Sequence, residues 1–191
     1  MTIRYALLLP LAAVLVGFED LGTTRASATP VAPSPIAATA QAAPERHEVI
    51  VNMTDACDPD TFNNAGFGHI CDRSGGIKFD DFIATLTKFG FIQAWRFAPS
   101  MAKVDVGQTI AAVNRGGETH TFTQVANFGG GIIEDLNRIT NNPTPAPECT
   151  TLDTDDFVVP GATYRENVEH SGLVKFQCCI HPWMRLEAVS R

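Results

Sequence analysis

The spacing of apolar positions changes along the chain, and the changes mark its elements. Glu48-Val49-Ile50-Val51-Asn52-Met53 is a short, branched apolar run of the kind that forms a strand. Between Lys78 and Phe89 the spacing is helical: Phe79, Phe82, Ile83, Leu86 and Phe89 recur every three or four residues on one face. Ser74, Gly75 and Gly76 precede this helix, and Gly90 stands where a left-handed residue ends one. An aromatic stripe of this kind suits packing against a sheet. From Ala94 the pattern returns to strands. Trp95-Arg96-Phe97 alternates, Pro99 interrupts, Lys103-Val104-Asp105-Val106 resumes and Gly107 turns. Thr109 to Asn114 and Thr119 to Val125 flank Arg115-Gly116-Gly117-Glu118, which reads as a hairpin turn because glycine accepts positive φ.

Three stretches lack such periodicity. At the start, Arg4 precedes a mostly apolar run from Tyr5 to Phe18, and Ala26-Ser27-Ala28 has the small-x-small form of a signal-peptidase site. The run is shorter than the roughly 20 residues of a spanning helix. Residues 1–28 are therefore expected to be a cleaved signal peptide, leaving an exported chain, periplasmic or extracellular, with no membrane insertion. Residues 29–46 are rich in Ala, Pro, Thr and Ser and cannot build a core, so they read as a disordered linker. The third stretch, from Phe128 to Thr154, is a long connection with Gly129-Gly130-Gly131 and prolines 143, 145 and 147. A connection of that length has a role or is disordered. One domain, residues 47–191, remains.

The formal charge of −7 argues against nucleic acid and anionic membrane surfaces as partners, and leaves room for a partner with a basic face. Five cysteines are an odd number for an exported chain. Cys57 and Cys71 frame a polar loop, and a disulfide between them would close about 15 residues and contribute about 3 kcal/mol in the chain-entropy model. Asp55, Asp58 and Asp60 lie close enough in sequence to suggest calcium, but they match no full EF-hand pattern.

The strongest chemistry lies in Lys175-Phe176-Gln177-Cys178-Cys179-Ile180-His181-Pro182-Trp183-Met184, where thiol, imidazole and thioether fall within seven residues. His120, in Gly117-Glu118-Thr119-His120-Thr121, can add a second imidazole. Two His, one Cys and a weak Met are the donor set of a blue-copper electron-transfer site, and soft sulfur favours copper over harder ions. Cys178 is the expected thiolate, since Cys179 would face the other side of a continuing strand. With Cys178 on the metal, Cys149–Cys179 is the remaining bridge by elimination. His47, His69 and His170 read as ordinary exposed residues.

At these residues the chain resembles the cupredoxins, and its Cys-x-x-His-x-x-Met loop is most similar to that of the amicyanins within the plastocyanin-like group. The likeness covers about residues 97–189. Phe157-Val158-Val159-Pro160-Gly161-Ala162-Thr163-Tyr164 and Gly172-Leu173-Val174-Lys175-Phe176 resemble the final pair of cupredoxin strands. The resemblance implies an all-β, cupredoxin-like Greek-key β-sandwich, with residues 57–90 as one short helical insertion. It also implies one type 1 copper ion held by His120, Cys178, His181 and Met184, with His120 buried and His181 near the surface. The edge of His181, ringed by Pro182 and Trp183, then becomes the electron port. Asn114 and Thr121 are candidates to hydrogen-bond near the thiolate sulfur. Two departures stand out: Leu186 replaces a glycine common after the Met-Arg pair, and Cys179 replaces a small polar residue.

The expected function is one-electron transfer by a monomer between a donor and an acceptor redox protein, without enzymatic turnover. The same ligands would also serve a copper buffer or delivery protein. A third reading is an interaction module with an idle or zinc-filled site.

Overall fold

The structure, a computed structural model, describes residues 47–191. The expected signal peptide and linker, residues 1–28 and 29–46, lie outside the described residues. Two four-stranded sheets face each other across a common core. The first contains β1 (Val49–Thr54), β2 (Arg96–Ala98), β4 (Thr109–Asn114) and β8 (Thr163–Asn167), in the order β2-β1-β4-β8. The second contains β3 (Met101–Val104), β6 (Thr123–Val125), β9 (Gly172–Gln177) and β10 (Arg185–Ser190), in the order β3-β10-β9-β6. A short pair, β5 (His120–Thr121) with β7 (Phe157–Val158), sits beside them. This is the cupredoxin-like β-sandwich expected from the sequence.

Period-two alternation explains which faces meet. In β1, Val51 and Met53 are buried while Ile50 is exposed; in β10, Leu186 and Ala188 are buried while Val189 is exposed. The sheets are joined through rings. Phe122 stacks on Phe176 with centroids 4.4 Å apart, and Phe97 of the opposite sheet lies 5.2 Å from Phe122.

Two pairings differ from expectation. The segment 115–118 is not a hairpin turn: β4 belongs to the first sheet, while β6 pairs with β9 in the second. Neither Gly116 nor Gly117 has positive φ. What these glycines provide is room. A Cβ on Gly116 would lie 1.8 Å from Asp55 Oδ2, and one on Gly117 would lie 2.7 Å from the Arg73 carbonyl oxygen. The chain thus crosses between sheets over a buried carboxylate. The second difference concerns the last strands. β8 and β9 lie in opposite sheets, and β9 pairs with β6 on one side and on the other with β10, a strand the residue pattern did not isolate.

Both additions to the sandwich are ordered. The insertion holds α1 (Pro59–Phe62), capped by Asp58, and α2 (Phe79–Phe89), and is closed by the disulfide Cys57–Cys71. Gly90 ends α2 at φ 74°, its N–H bonded to the Leu86 carbonyl at 2.7 Å. Of the expected stripe, Phe82 and Leu86 are buried, Phe79 and Ile83 partly so, and Phe89 is 56% exposed. Phe89 falls in the last turn, past the edge of what the helix covers. Residues 128–154, expected as an irregular connection, contain α3 (Glu134–Ile139) and a 3₁₀ turn at Pro147–Thr150. The disulfide Cys149–Cys179 ties this segment to the end of β9. Gly131 allows the close contact there, since a Cβ would sit 1.9 Å from the Cys179 carbonyl oxygen. Among the described residues, no helix is long and apolar enough to cross a membrane.

The helical stripe can be tested by denaturation in urea. Leu86→Ala is expected to lower the unfolding free energy by about 2–5 kcal/mol. Phe89→Ala should change it by no more than about 0.5 kcal/mol. Equal losses at both positions would show that the exposed end of α2 is packed after all.

Candidate metal centre

β5 and the end of β9 bring His120 and Cys178 together, and the loop between β9 and β10 adds His181 and Met184. His120, Cys178 and Met184 are fully buried and His181 is 3% exposed. The donor atoms of His120, Cys178 and His181 all lie within 4.8 Å of one another. Cys178 Sγ is 3.9 Å from His120 Nδ1 and 3.8 Å from His181 Nδ1. A metal about 2.0 Å from each nitrogen and about 2.3 Å from the sulfur, using zinc bond lengths, needs N···S separations of roughly 3.5–4 Å. The donors fit a small ion. Met184 is locked into the same loop by its backbone: Cys178 N donates to Met184 O at 3.0 Å, and Met184 N donates to His181 O at 2.9 Å.

What orients the imidazoles was not foreseen from the sequence. His120 Nε2 lies 3.0 Å from Asp55 Oδ2, and His181 Nε2 lies 3.6 Å from Glu118 Oε2. Each ring therefore has a carboxylate at Nε2 and is left to present the Nδ1 lone pair toward the sulfur. That is the arrangement of carboxylate-oriented histidine ligands. Asp55 also accepts from Gly117 N at 2.9 Å and Glu118 N at 3.0 Å, while Glu118 accepts from the Trp95 indole. The one sequence signal for Asp55 was its membership of the acidic cluster considered for calcium. That reading fails: Asp58 caps α1, Asp60 is exposed, and Asp55 turns inward to His120.

The electrostatics follow from this geometry. Burial pushes the Cys178 thiol up, but the bonds from His120 and His181 outweigh it and hold the group well below the ordinary thiol range. Burial lowers His120, yet Asp55 and the Cys178 sulfur push it up to about 9. Burial also raises Asp55, but His120 and the two backbone amides bring it below the usual carboxylate value. Glu118 is raised, with burial the largest cause.

The two residues expected near the sulfur act differently from the sequence reading. Thr121 donates to Cys178 Sγ through its backbone N–H at 3.4 Å, and its hydroxyl accepts from Cys179 N at 2.7 Å. Asn114 does not reach the sulfur. Its amide donates to the Glu118 and Val158 carbonyls and accepts from Gly116 N, so it clamps the crossing loop. A second backbone donor to the sulfur, His181 N at 3.4 Å, was not anticipated.

The expected surface position of His181, Pro182 and Trp183 is corrected. His181 and Pro182 are buried and Trp183 is half-buried. The cause is the insertion. Phe82 of α2 packs 6.2 Å from Trp183, which in turn lies 5.4 Å from His181. Phe62 and Phe82 also flank Trp95, whose indole holds Glu118 beside the same imidazole. His47, His69 and His170 are exposed, and among the described residues no other group of three His, Cys, Asp or Glu donors converges.

No family model matches the sequence, and no curated protein matches it. Solved structures are similar to it at low identity. A purple cupredoxin from Nitrosopumilus maritimus is 12% identical, with 75% of this chain and 100% of that chain aligned and a TM-score of 0.43. An amicyanin variant in the Cu(I) state is 18% identical over 50% of this chain and 73% of that one, with a TM-score of 0.35. A fern plastocyanin variant is 15% identical over 51% and 89%, also at 0.35. The neighbours in fold are cupredoxins, and this chain has a cupredoxin-like sandwich by its own strand order.

If Asp55 orients His120 as described, Asp55→Asn should weaken copper binding by about 10–100-fold, read by competition with a chelator. Unchanged affinity in a folded variant would show that the His120 ring is held without it.

Proposed function

We propose that this protein is a type 1 copper protein that carries single electrons, exported to the periplasm or beyond the cell. One observation carries the reading: two imidazole Nδ1 atoms and one lone thiol sulfur converge in a buried pocket, at separations that a single ion fits. His120, Cys178 and His181 would hold the ion, and Met184 of the same loop would offer a weak thioether donor. Copper suits this soft and borderline set better than magnesium or calcium would, and bound there it supplies a one-electron couple.

The chain's own residues do the rest. Strands and a disulfide-tied loop hold the donors, so little has to move when the charge changes. Backbone N–H groups of Thr121 and His181 point at the sulfur and stabilise negative charge on it. Asp55 holds the His120 ring by a hydrogen bond, and the Glu118 carboxylate faces His181 Nε2 at 3.6 Å. Full burial of Cys178 and His120 keeps water off the thiolate.

The experiment is metal loading. Protein given Cu(II) should turn intensely blue or purple and be bleached reversibly by a mild reductant. Cys178→Ser should abolish the colour. The pair Cys149→Ser with Cys179→Ser should keep it, at a cost of about 3–4 kcal/mol in stability from the lost cross-link. Colour that depends on Cys179 instead would refute the ligand assignment. Rapid loss of Cu(I) to a chelator, with no stable Cu(II) form, would favour metal delivery over electron transfer.

A further inference from the structure

His181 forms part of the floor of a cleft of about 740 Å³ lying between the insertion and α3. The walls are apolar, partly aromatic on one side and aliphatic on the other: Phe79, Phe82 and Ile83 face Ile132, Leu136 and Ile139. The volume is that of a small-molecule site rather than a flat docking face. Because the imidazole side chain is only 4% exposed at the bottom of this recess, a broad protein surface resting on the rim would not reach it. The other donors, Cys178, His120 and Met184, are sealed completely.

The polar groups narrow the occupant further. At the mouth, Arg138 pairs with Asp135 at 2.6 Å and His69 with Asp72 at 2.6 Å. Arg138, the one guanidinium or ammonium lining the cleft among the described residues, is thus already paired, and no free cation is left there to select an anion. On the floor, the Glu118 side chain, 9% exposed, offers carboxylate oxygen beside His181. An occupant that matches is uncharged, flat and apolar, with a hydroxyl at one end.

We propose that the cleft binds a neutral phenol or hydroquinone, ring between the aromatic and aliphatic walls and hydroxyl toward Glu118, and that this is the electron donor's route to His181. The electron-transfer half of this rests on the carrier reading above; the binding half does not. With copper bound, hydroquinone would give one electron to each of two Cu(II) proteins in turn and leave as benzoquinone, its two phenolic protons passing to water and both metals ending as Cu(I).

Binding is tested first on metal-free protein, by amide and side-chain chemical shifts during titration with phenol. Saturable shifts confined to the cleft residues are expected, and toluene should bind at least tenfold more weakly for want of the hydroxyl. Ile139→Trp, which fills the cleft, should weaken phenol at least tenfold, and Ile132→Trp provides the same test if the first variant folds poorly. Val189→Trp, on the exposed face of β10, should leave it unchanged. On copper-loaded protein the bleaching rate should saturate with hydroquinone, be inhibited by phenol, and fall at least tenfold in the filled variant, while dithionite bleaches both alike. No phenol binding overturns the proposal, as does 4-hydroxybenzoate binding more tightly than phenol. So do concentration-dependent shifts of the same residues without probe, which would assign the cleft to a second copy. Should the protein bind phenol yet hold no copper, the cleft stands and the carrier reading falls.

Discussion

A buried carboxylate that must be satisfied is the constraint around which the site is assembled. Asp55, just past the end of β1, has a side chain 1% exposed. An unpaired charge there would cost several kcal/mol. The structure meets that demand with two backbone N–H groups of the crossing loop and the imidazole of His120. The consequences run outward from there. Gly116 and Gly117 cannot carry side chains, the loop cannot close into a hairpin, and β5 begins where His120 is already oriented. One interaction thus couples the first strand, the crossover between sheets and the aim of a ligand.

The second imidazole is set by a longer chain of contacts. Glu118 faces His181, Trp95 holds Glu118, and Phe62 and Phe82 pack around Trp95. The insertion is therefore part of the site rather than an ornament on the sandwich. Its disulfide anchors it beside Gly117, where Asp72 N donates to the Gly117 carbonyl at 2.8 Å. The segment 128–154 is tied in the same manner on the other side, through Cys149–Cys179, Ile132 N to the Cys179 carbonyl, and Gln177 to the Gly129–Gly130 backbone. Both additions border the ligand loop, and together they turn an exposed ligand edge into the floor of a cleft.

Much of this was legible from residue order alone. Strand positions followed period-two alternation, α2 followed its aromatic spacing to the glycine that ends it, and the ligand loop stood out because thiol, imidazole and thioether fall within seven residues. Donors that are neighbours in sequence are held by local geometry, and local geometry can be read locally. The cysteine arithmetic also held: with Cys178 free, the other four pair as Cys57–Cys71 and Cys149–Cys179. Asp55 and Glu118 were not legible in their roles, because a carboxylate near a glycine pair or an acidic cluster has many uses, and which imidazole it meets depends on how the sheets cross. The hairpin reading failed on the same ground, since two glycines between strands signal either a tight turn or a close approach, and only the partner above them decides.

Residue order by itself determined the donor types, the metal class they suit, the periodicity of the sandwich and the aromatic stripe of α2. Tertiary structure alone decided which nitrogen of each imidazole faces the sulfur, which carboxylate stands behind it and whether the last ligand sees solvent. The physical reason is range. Ligand chemistry and strand alternation are set over a few residues, whereas burial, pKa and access are sums over atoms that the chain brings together from far apart.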